Sequence, residues 1–180
     1  MQSETPLPGY GVALARLTPD HADALLDFER ENRAYFAASI ADRGDEFFAN
    51  FSEMLQARLA EQTEGVCQFH VLVADDGTVV GRVNLVDIED GSAELGYRIA
   101  ERAAGRGLAT AAVRAIARIA AKEYGLRQLT AGAAKANVAS WTVMERAGFR
   151  RVGESRGDAP AGDARGARPQ VQYVLTLEDL

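Results

Sequence analysis

The chain has 180 residues, of which 47% are hydrophobic and 26% are charged, a composition typical of one soluble globular domain rather than a disordered or fibrous chain. Its net charge of −6 provides no general basic field, and we therefore expect no nucleic-acid binding. A single cysteine excludes an intrachain disulfide or a cysteine zinc site, and the lack of a long apolar run or a charged-then-apolar leader predicts no membrane association and a cytoplasmic location.

The N-terminal third predicts one strand followed by two helices. Residues 1–9 are polar with two prolines, and we expect them to form a flexible leader. Residues 12–17 predict the first strand. Thr18 followed by proline is typical of a helix start, and the apolar spacing predicts helices over residues 20–38 and 45–62.

The middle of the chain predicts a β-hairpin and a strand that leads into a glycine-rich turn. Residues 69–73 and 78–88 are the hairpin strands, because the Asp-Asp-Gly sequence between them favours a tight turn. Residues 92–100 predict the next strand, which ends just before the Gly-Arg-Gly turn at residues 105–107. A helix follows, since apolar residues recur there at three- and four-residue steps, at Leu108, Ala112, Ala115, Ile116 and Ile119.

The C-terminal third predicts one helix over residues 138–147 and three strands, over residues 127–131, 149–155 and 170–177. Residues 157–169 are rich in glycine, alanine and aspartate and have almost nothing to bury, so they predict a mobile loop. The whole chain, residues 1–180, is therefore predicted to be one α+β domain with a central mixed sheet of about six to seven strands, flanked by about four helices.

The glycine-rich turn between a strand and a helix has the chemistry of an anion site. Such a turn leaves backbone amides unpaired at the positive end of the helix dipole, and glycine lets an anion approach the backbone closely. We therefore interpret it as a diphosphate cradle. A nucleotide P-loop is excluded because the chain has no Gly-Lys pair, and a dinucleotide fingerprint fails because Thr110 stands at its third glycine position.

Three motifs, in order, resemble those of the GNAT acetyltransferases. Residues 105–110 resemble that family's coenzyme A loop, Arg/Gln-x-x-Gly-x-Gly/Ala followed by a hydroxyl residue, although Ala104 occupies the basic or Gln position. Residues 93–97 resemble its fourth strand, and Asn137-x-x-Ser140 with residues 145–149 resembles its second conserved block. The resemblance covers about a third of the chain and points to the branch that acetylates protein N-termini, the ribosomal-protein alanine acetyltransferases.

The resemblance implies a mostly antiparallel sheet and acetyl-CoA as co-substrate, with no metal. A strand bulge near Gly96 and Tyr97 would free backbone groups for the pantetheine arm. The residues that the resemblance implies for cofactor binding lie at the strand end, in the loop and in the two following helices, and are Ile99, Ala100, Gly105, Arg106, Gly107, Leu108, Ala109, Thr110, Asn137 and Ser140.

Two side chains are candidates for the acid–base chemistry of acetyl transfer. Glu94, on the strand that leads to the reacting centre, is our candidate general base, acting directly or through water, and the alternative is a solvated strand residue. Ser140 is the candidate that hydrogen-bonds or protonates the departing sulfur, and the alternative is a hydroxyl bonded to local backbone. Met144 stands where many family members carry a general-acid tyrosine. Tyr173 is a secondary candidate acid, and the Tyr97 hydroxyl could also reach the site.

The predicted activity is transfer of an acetyl group from acetyl-CoA to a primary amine by direct attack in a ternary complex. The resemblance favours a protein N-terminal α-amine as acceptor, with a small amine such as a polyamine, amino acid or aminoglycoside as the alternative. Four polar residues could line the acceptor groove, although a solvated helix face is their default interpretation, and they are Glu29, Glu31, Asn32 and Arg33. A non-catalytic acyl-CoA sensor and an NAD-dependent enzyme are the competing classes. The protein is expected to be a monomer or a homodimer.

Overall fold

Eight strands form one sheet in the computed structural model, which describes residues 4–156, 169–178 and 180. In chain order they are β1 (Thr5–Leu7), β2 (Val12–Arg16), β3 (Gln68–Ala74), β4 (Val79–Glu89), β5 (Ser92–Ile99), β6 (Gln128–Ala134), β7 (Arg150–Arg156) and β8 (Pro169–Thr176). They lie side by side in the order β1-β2-β3-β4-β5-β6-β8-β7, and every neighbouring pair is antiparallel except β5–β6. The predicted α+β fold with a mixed, mostly antiparallel sheet is confirmed.

The strand β1 lies inside the segment predicted to be a flexible leader, and it accounts for the eighth strand. Thr5 pairs with Leu14 and Leu7 with Val12, and Leu7 is 6% exposed. The leader prediction is therefore wrong for these residues, because Leu7 gains burial in the core beside the long helix after the glycine turn. Residues 1–3 and 157–168 lie outside the described residues, and with them lies the predicted mobile loop apart from Pro169.

Six α-helices in the described part of the chain cover the two faces of the sheet. In chain order they are α1 (Ala22–Glu31), α2 (Arg33–Ala37), α3 (Asp45–Ala49), α4 (Phe51–Glu64), α5 (Leu108–Lys122) and α6 (Val138–Arg146). The first four pack on one face over a core that includes Phe28 and Phe51, and α5 and α6 pack on the other. The apolar face predicted for α5 is confirmed, since Leu108, Ala112 and Ile116 are at most 2% exposed. No helix among the described residues is long and apolar enough to cross a membrane.

An asparagine divides each of the two long helices predicted for the N-terminal third. Asn32 leaves the helical conformation between α1 and α2, with φ −103° and ψ 7°. Its side chain donates to the Phe28 carbonyl at 2.9 Å and accepts from the Glu101 amide at 3.0 Å. Asn50 leaves the helical conformation between α3 and α4, with φ −110° and ψ 25°. The prediction of two continuous helices is wrong at these points, because asparagine readily adopts non-helical turns stabilised by side-chain hydrogen bonds.

The sheet opens between its two parallel strands, β5 and β6. These strands share three residue pairs, of which the last joins Glu94 to Thr130. Beyond that pair, β5 stays bonded to β4 as far as Ile99, while β6 stays bonded to β8 along its whole length. Among the described residues, no strand therefore pairs with this edge of β5 over the half that leads to α5.

The bulge predicted near Gly96 and Tyr97 is not the cause of this opening. The register between β4 and β5 runs unbroken past both residues and shifts instead between Val86 and Glu89, at the far end of the pair. The prediction of a bulge at that place is therefore wrong. The edge of β5 is free because β6 diverges from it after Thr130. From there on, β6 is hydrogen-bonded only to β8 among the described strands.

Candidate active site

A cleft of about 450 Å³ lies beside the free edge of β5. Its walls are the end of β5, the glycine turn with the start of α5, the helix α6, and α2 with the residues that follow it. Eight of the ten residues predicted to bind the cofactor line this cleft, and they are Ile99, Gly105, Gly107, Leu108, Ala109, Thr110, Asn137 and Ser140. Segments distant in sequence thus meet in one site whose volume suits a small-molecule ligand.

The turn before α5 presents an anion-binding helix end to the cleft. Gly105 and Gly107 both have a left-handed backbone, with φ of +75° and +85°, and Gly107 is the N-cap of α5. The Ala111 amide donates to the Gly107 carbonyl at 3.1 Å in the first turn, so the amides of residues 108–110 precede the first helical hydrogen bond. A Cβ on Gly107 would lie 2.9 Å from the Tyr10 hydroxyl. These amides and the helix dipole together suit a diphosphate.

Two residues predicted to bind the cofactor lie outside the lining of the cleft. Arg106 is exposed to solvent. Ala100 is fully buried, and its amide donates to the Val80 carbonyl of β4 at 2.8 Å, so the prediction that it is free for a ligand is wrong. Successive residues of a strand direct their backbone groups to opposite edges. Tyr97 and Ile99 therefore direct theirs to the edge that β6 leaves open.

Asn137 and Ser140 lie together at the start of α6. Asn137 is the N-cap of the helix, and its side-chain oxygen accepts from the Ser140 amide at 3.2 Å. The half-buried Ser140 and Tyr97 both line the cleft. Burial raises the pKa of Tyr97, and the nearby Ser140 side chain acts in the opposite direction, so Tyr97 is protonated at neutral pH and can donate a hydrogen bond.

Glu94 lies at the point where β5 and β6 separate, opposite Thr130. Its side chain is exposed and does not line the cleft. Alternation along the strand places Glu94 and Arg98 on the face covered by α1–α4, whereas Tyr97 packs with the core on the face of α5 and α6. The structure therefore does not bring Glu94 and Ser140 together, and they lie on opposite sides of the opening in the sheet.

The secondary candidate acid, Tyr173, is buried away from the cleft, and its nomination is wrong. It is 1% exposed, and its hydroxyl donates to Glu145 at 3.4 Å. Burial, followed by the charge of Glu145, raises its pKa. Met144 is 2% exposed in the same core. Neither side chain reaches a ligand in the cleft, which leaves Tyr97 and Ser140 as candidate proton donors.

An ionic cluster that the sequence pattern does not predict lies on the α1–α4 face. Glu29, interpreted by default as a solvated helix residue, is 1% exposed, and three arginines surround it. Nitrogen atoms of Arg82, Arg43 and Arg98 lie 2.7, 3.3 and 3.6 Å from its carboxylate oxygens. Arg98 also lines the cleft, and its guanidinium lies 5.1 Å from the centroid of the Phe36 ring. No local pattern reveals this cluster, because its members come from four separate segments.

The lining of the cleft has a distinct charge character. The described residues that form it include two arginines, Arg98 and Arg146, and no aspartate or glutamate. On its outer wall, Tyr35 and Ile40 are 40% and 43% exposed. Among the residues that the structure describes, no group of three or more His, Cys, Asp and Glu side chains is placed to hold a metal ion.

Known proteins resemble this chain along most of its length. A family model described as an acetyltransferase (GNAT) domain matches residues 12–150. The probable N-acetyltransferase YjcK of Bacillus subtilis (strain 168) is 28% identical over 158 residues, which cover 83% of this chain and 86% of YjcK.

Two solved structures illustrate how far the shared fold extends. The ribosomal L7/L12 α-N-protein acetyltransferase RimL, in complex with coenzyme A, is similar with a TM-score of 0.83 at 17% identity, over 97% of this chain and 98% of that chain. A spermidine N-acetyltransferase SpeG chimera from Vibrio cholerae and hSSAT is similar with a TM-score of 0.76 at 15% identity, over 94% and 97% of the two chains. At these identities the likeness is one of fold, and it is shared by proteins named for a protein acceptor and for a small amine.

Proposed function

Because the chain belongs to the GNAT acetyltransferase family, we propose that it transfers the acetyl group of acetyl-CoA to the α-amine at the N-terminus of a protein. The observation that carries this proposal is the cleft in which the glycine turn, the free edge of β5 and the start of α6 meet. Each of these three elements suits one part of an acyl-CoA molecule.

Backbone groups hold acetyl-CoA along most of its length. The amides of residues 108–110 and the dipole of α5 bind the diphosphate, and the absence of a side chain at Gly105, where an added Cβ meets nothing within 4 Å, leaves it room. The backbone groups of Tyr97 and Ile99 bind the pantetheine arm as a neighbouring strand would. Arg146 lines the same cleft and contributes positive charge toward the phosphates.

The reaction is an attack of the neutral amine on the thioester carbonyl carbon. The ammonium form of the acceptor first loses a proton to Glu94, directly or through a water molecule, on the α1–α4 side of the opening. The nitrogen of the tetrahedral intermediate then loses its second proton, the carbon–sulfur bond breaks, and the acetyl group stays on the nitrogen as an amide. The departing thiolate takes a proton from the hydroxyl of Tyr97 or Ser140, and the proton released by the nitrogen restores that hydroxyl.

The charge and exposure of the cleft support a protein acceptor over a polyamine. A polycation is bound best by carboxylates, whereas the described lining includes Arg98 and Arg146 and no acidic residue. Tyr35 and Ile40 expose apolar surface on the outer wall, at 40% and 43%, which suits contact with a partner chain. An extended N-terminus enters this open side toward Glu94.

The test combines binding with turnover. Calorimetric titration should show micromolar binding of acetyl-CoA, roughly −8 kcal/mol, and no binding of NAD. Turnover should then be measured on lysine-free peptides with a free N-terminus, on the same peptides with a blocked N-terminus, and on spermidine. We expect acetylation of the free peptides alone. Acetyl-CoA binding without turnover on any amine would indicate a sensor, and preference for spermidine would contradict the proposed acceptor.

A further inference from the structure

The ionic cluster around Glu29 carries more positive than negative charge. Arg43, Arg82 and Arg98, which we call the acceptor-side arginines, share the single carboxylate of Glu29. Glu29 is 1% exposed, and the side chains of Arg82 and Arg98 are 12% and 15% exposed. Arg43 is more exposed, at 26%, but water screens little of the charge of Arg82 and Arg98, and three guanidinium groups that share one carboxylate are costly in so buried a place.

Other acidic groups near the cluster do not remove the excess. Asp42, whose charge also acts on Arg98, and Asp45 both pair with Arg33 at 2.8 Å, so the four arginines and three carboxylates together leave an excess of one positive charge. Burial, followed by the charge of Arg82, lowers the pKa of Arg43 to about 10, and burial lowers the pKa of Arg98 as well. The ion pairs themselves show that one positive charge of the cluster is not balanced by these carboxylates.

The acceptor-side arginines adjoin the place where the reaction is proposed to occur. Arg98 follows Tyr97 on β5 and lines the cleft, as does Phe36 beneath its guanidinium. Arg98 and Glu94 share one face of β5 and are four residues apart, which corresponds to about 13 Å along a strand. The side chain of Arg98 and an acidic side chain of the acceptor peptide together span part of that distance. A peptide whose amine lies at Glu94 thus brings its second or third side chain to Arg98.

A planar guanidinium matches a carboxylate, to which it can donate two parallel hydrogen bonds. We propose that the acceptor-side arginines bind a carboxylate that the acceptor carries close to its reacting amine. The proposal rests on the acetyltransferase function proposed above for the same cleft. In a protein acceptor the carboxylate belongs to an acidic residue in the second or third position. In a free amino acid it is the α-carboxylate, and the experiment separates these two sources.

The first experiment compares acceptors that differ in one carboxylate. Two lysine-free peptides with amidated C-termini, identical except for Asp or Asn in the second position, are assayed with saturating acetyl-CoA at low salt. We expect kcat/KM to be about tenfold higher for the Asp peptide and this preference to shrink as salt is raised. Serine and serine amide form the second pair. A preference confined to the peptides assigns the carboxylate to an acidic side chain, and one confined to serine assigns it to a free amino acid.

Variants connect the preference to the cluster. Arg98→Gln should bring the ratio of kcat/KM for the Asp and Asn peptides close to one, and Arg43→Gln should lower it in the same direction. Arg58→Gln is the matched control, because it removes the same charge from an exposed pair with Glu61 on α4, outside the cleft lining. The control should leave the ratio unchanged. Equal rates for the two peptides in the unaltered enzyme, or an equal loss on both peptides in Arg98→Gln, would overturn the proposal.

A binding measurement keeps the proposal separate from the proposed function. The N-acetylated forms of the Asp and Asn peptides are titrated into the complex of the protein with coenzyme A, which requires no turnover. We expect the acetylated Asp peptide to bind about tenfold more tightly, and Arg43→Gln and Arg98→Gln to reduce that difference. If no amine is acetylated, the proposed function fails, and this titration still decides the role of the arginines. Equal dissociation constants for the two peptides would rule that role out.

Discussion

The Ser140 amide donates to the side-chain oxygen of Asn137 at 3.2 Å, so the cap of α6 and the position of a candidate proton donor depend on one hydrogen bond. Both residues line the cleft. A change at Asn137 is therefore expected to affect both the stability of the helix and the placement of the Ser140 hydroxyl.

Replacing Asn137 by alanine should lower the free energy of unfolding by about 1 kcal/mol, because the first turn of α6 loses its side-chain acceptor. Urea unfolding measures this change. Asn137→Asp keeps an acceptor oxygen and should recover most of the stability. An equal loss in the alanine and aspartate variants would show that the cap contributes little.

Ser140→Ala and Tyr97→Phe should each lower kcat by about tenfold to a hundredfold, since each removes one of the two hydroxyl groups proposed to donate a proton to the departing thiolate. Acetyl-CoA affinity should change little, because the cofactor is proposed to be held by backbone groups. Steady-state kinetics with calorimetric binding measures both quantities. Ser52→Ala, an exposed hydroxyl on α4, is the control. An unchanged kcat in both variants would remove the pair from the proton-donor role.

Gly107→Glu should weaken acetyl-CoA binding by more than about tenfold, because it places a side chain and a negative charge at the proposed diphosphate site. Calorimetric titration measures the affinity. Gly105→Glu should weaken binding similarly, and Gly65→Glu at the end of α4 is its matched control: both glycines have a positive φ, of +75° and +80°, and nothing within 4 Å of an added Cβ, whereas a Cβ on Gly107 also meets the Tyr10 hydroxyl. Normal affinity in a folded Gly107→Glu protein would show that the turn does not hold the diphosphate.

Glu94→Gln should lower kcat by about a hundredfold and alter the pH dependence of turnover, while acetyl-CoA affinity stays nearly the same. The reason is that the glutamine cannot accept the proton from the acceptor amine. Glu89→Gln, another exposed strand residue, serves as the control. If the pH–rate profile of Glu94→Gln matches that of the unaltered enzyme, Glu94 is not the base.

His70 should make the stability of the fold depend on pH. Its Nε2 lies 2.8 Å from the Tyr124 hydroxyl, and its buried Nδ1 has no partner among the described residues. Burial, followed by the charge of Arg16, lowers the pKa of His70 to about 4. The unfolded chain therefore takes up a proton first as the pH falls below the ordinary value of about 6.5. The contribution of neutral His70 to the free energy of unfolding is fully present above about pH 6.5 and is lost as the pH falls toward 4. The loss amounts to about 2 kcal/mol at pH 5.

Urea unfolding at pH 7, 6 and 5 measures this loss. His70→Gln keeps a polar group beside Tyr124 and cannot titrate, so its stability should vary with pH by about 2 kcal/mol less than that of the unaltered protein. Parallel pH dependences in the two proteins would show that His70 is not responsible.

The sequence was most informative where the structure depends on neighbouring residues. The apolar face of α5 follows from the spacing of Leu108, Ala112 and Ile116, and the turn before it follows from Gly105 and Gly107, whose positive φ values suit glycine. These features require no knowledge of the rest of the fold, which is why they were predicted with the correct order and nearly the correct bounds.

The features that were missed depend on partners far along the chain. Glu29 is paired with Arg82, 53 residues away, and the break at Asn32 is fixed in part by a hydrogen bond from Glu101, 69 residues away. Helical spacing alone makes Glu29 a solvated residue and lets the helix continue through Asn32. Tertiary contact decides otherwise in both cases, and periodicity contains no information about it.

Three residue pairs between β5 and β6 join two unequal halves of the sheet, with α5 packed on the N-terminal half and α6 on the C-terminal half. Beyond this seam the two halves are held together by side-chain packing, since α5 contacts α6 and one apolar core includes residues of both halves. In the proposed complex, acetyl-CoA contacts α5 and β5 on one side of the seam and α6 on the other. The co-substrate then adds contacts between the two halves where the strand hydrogen bonds end.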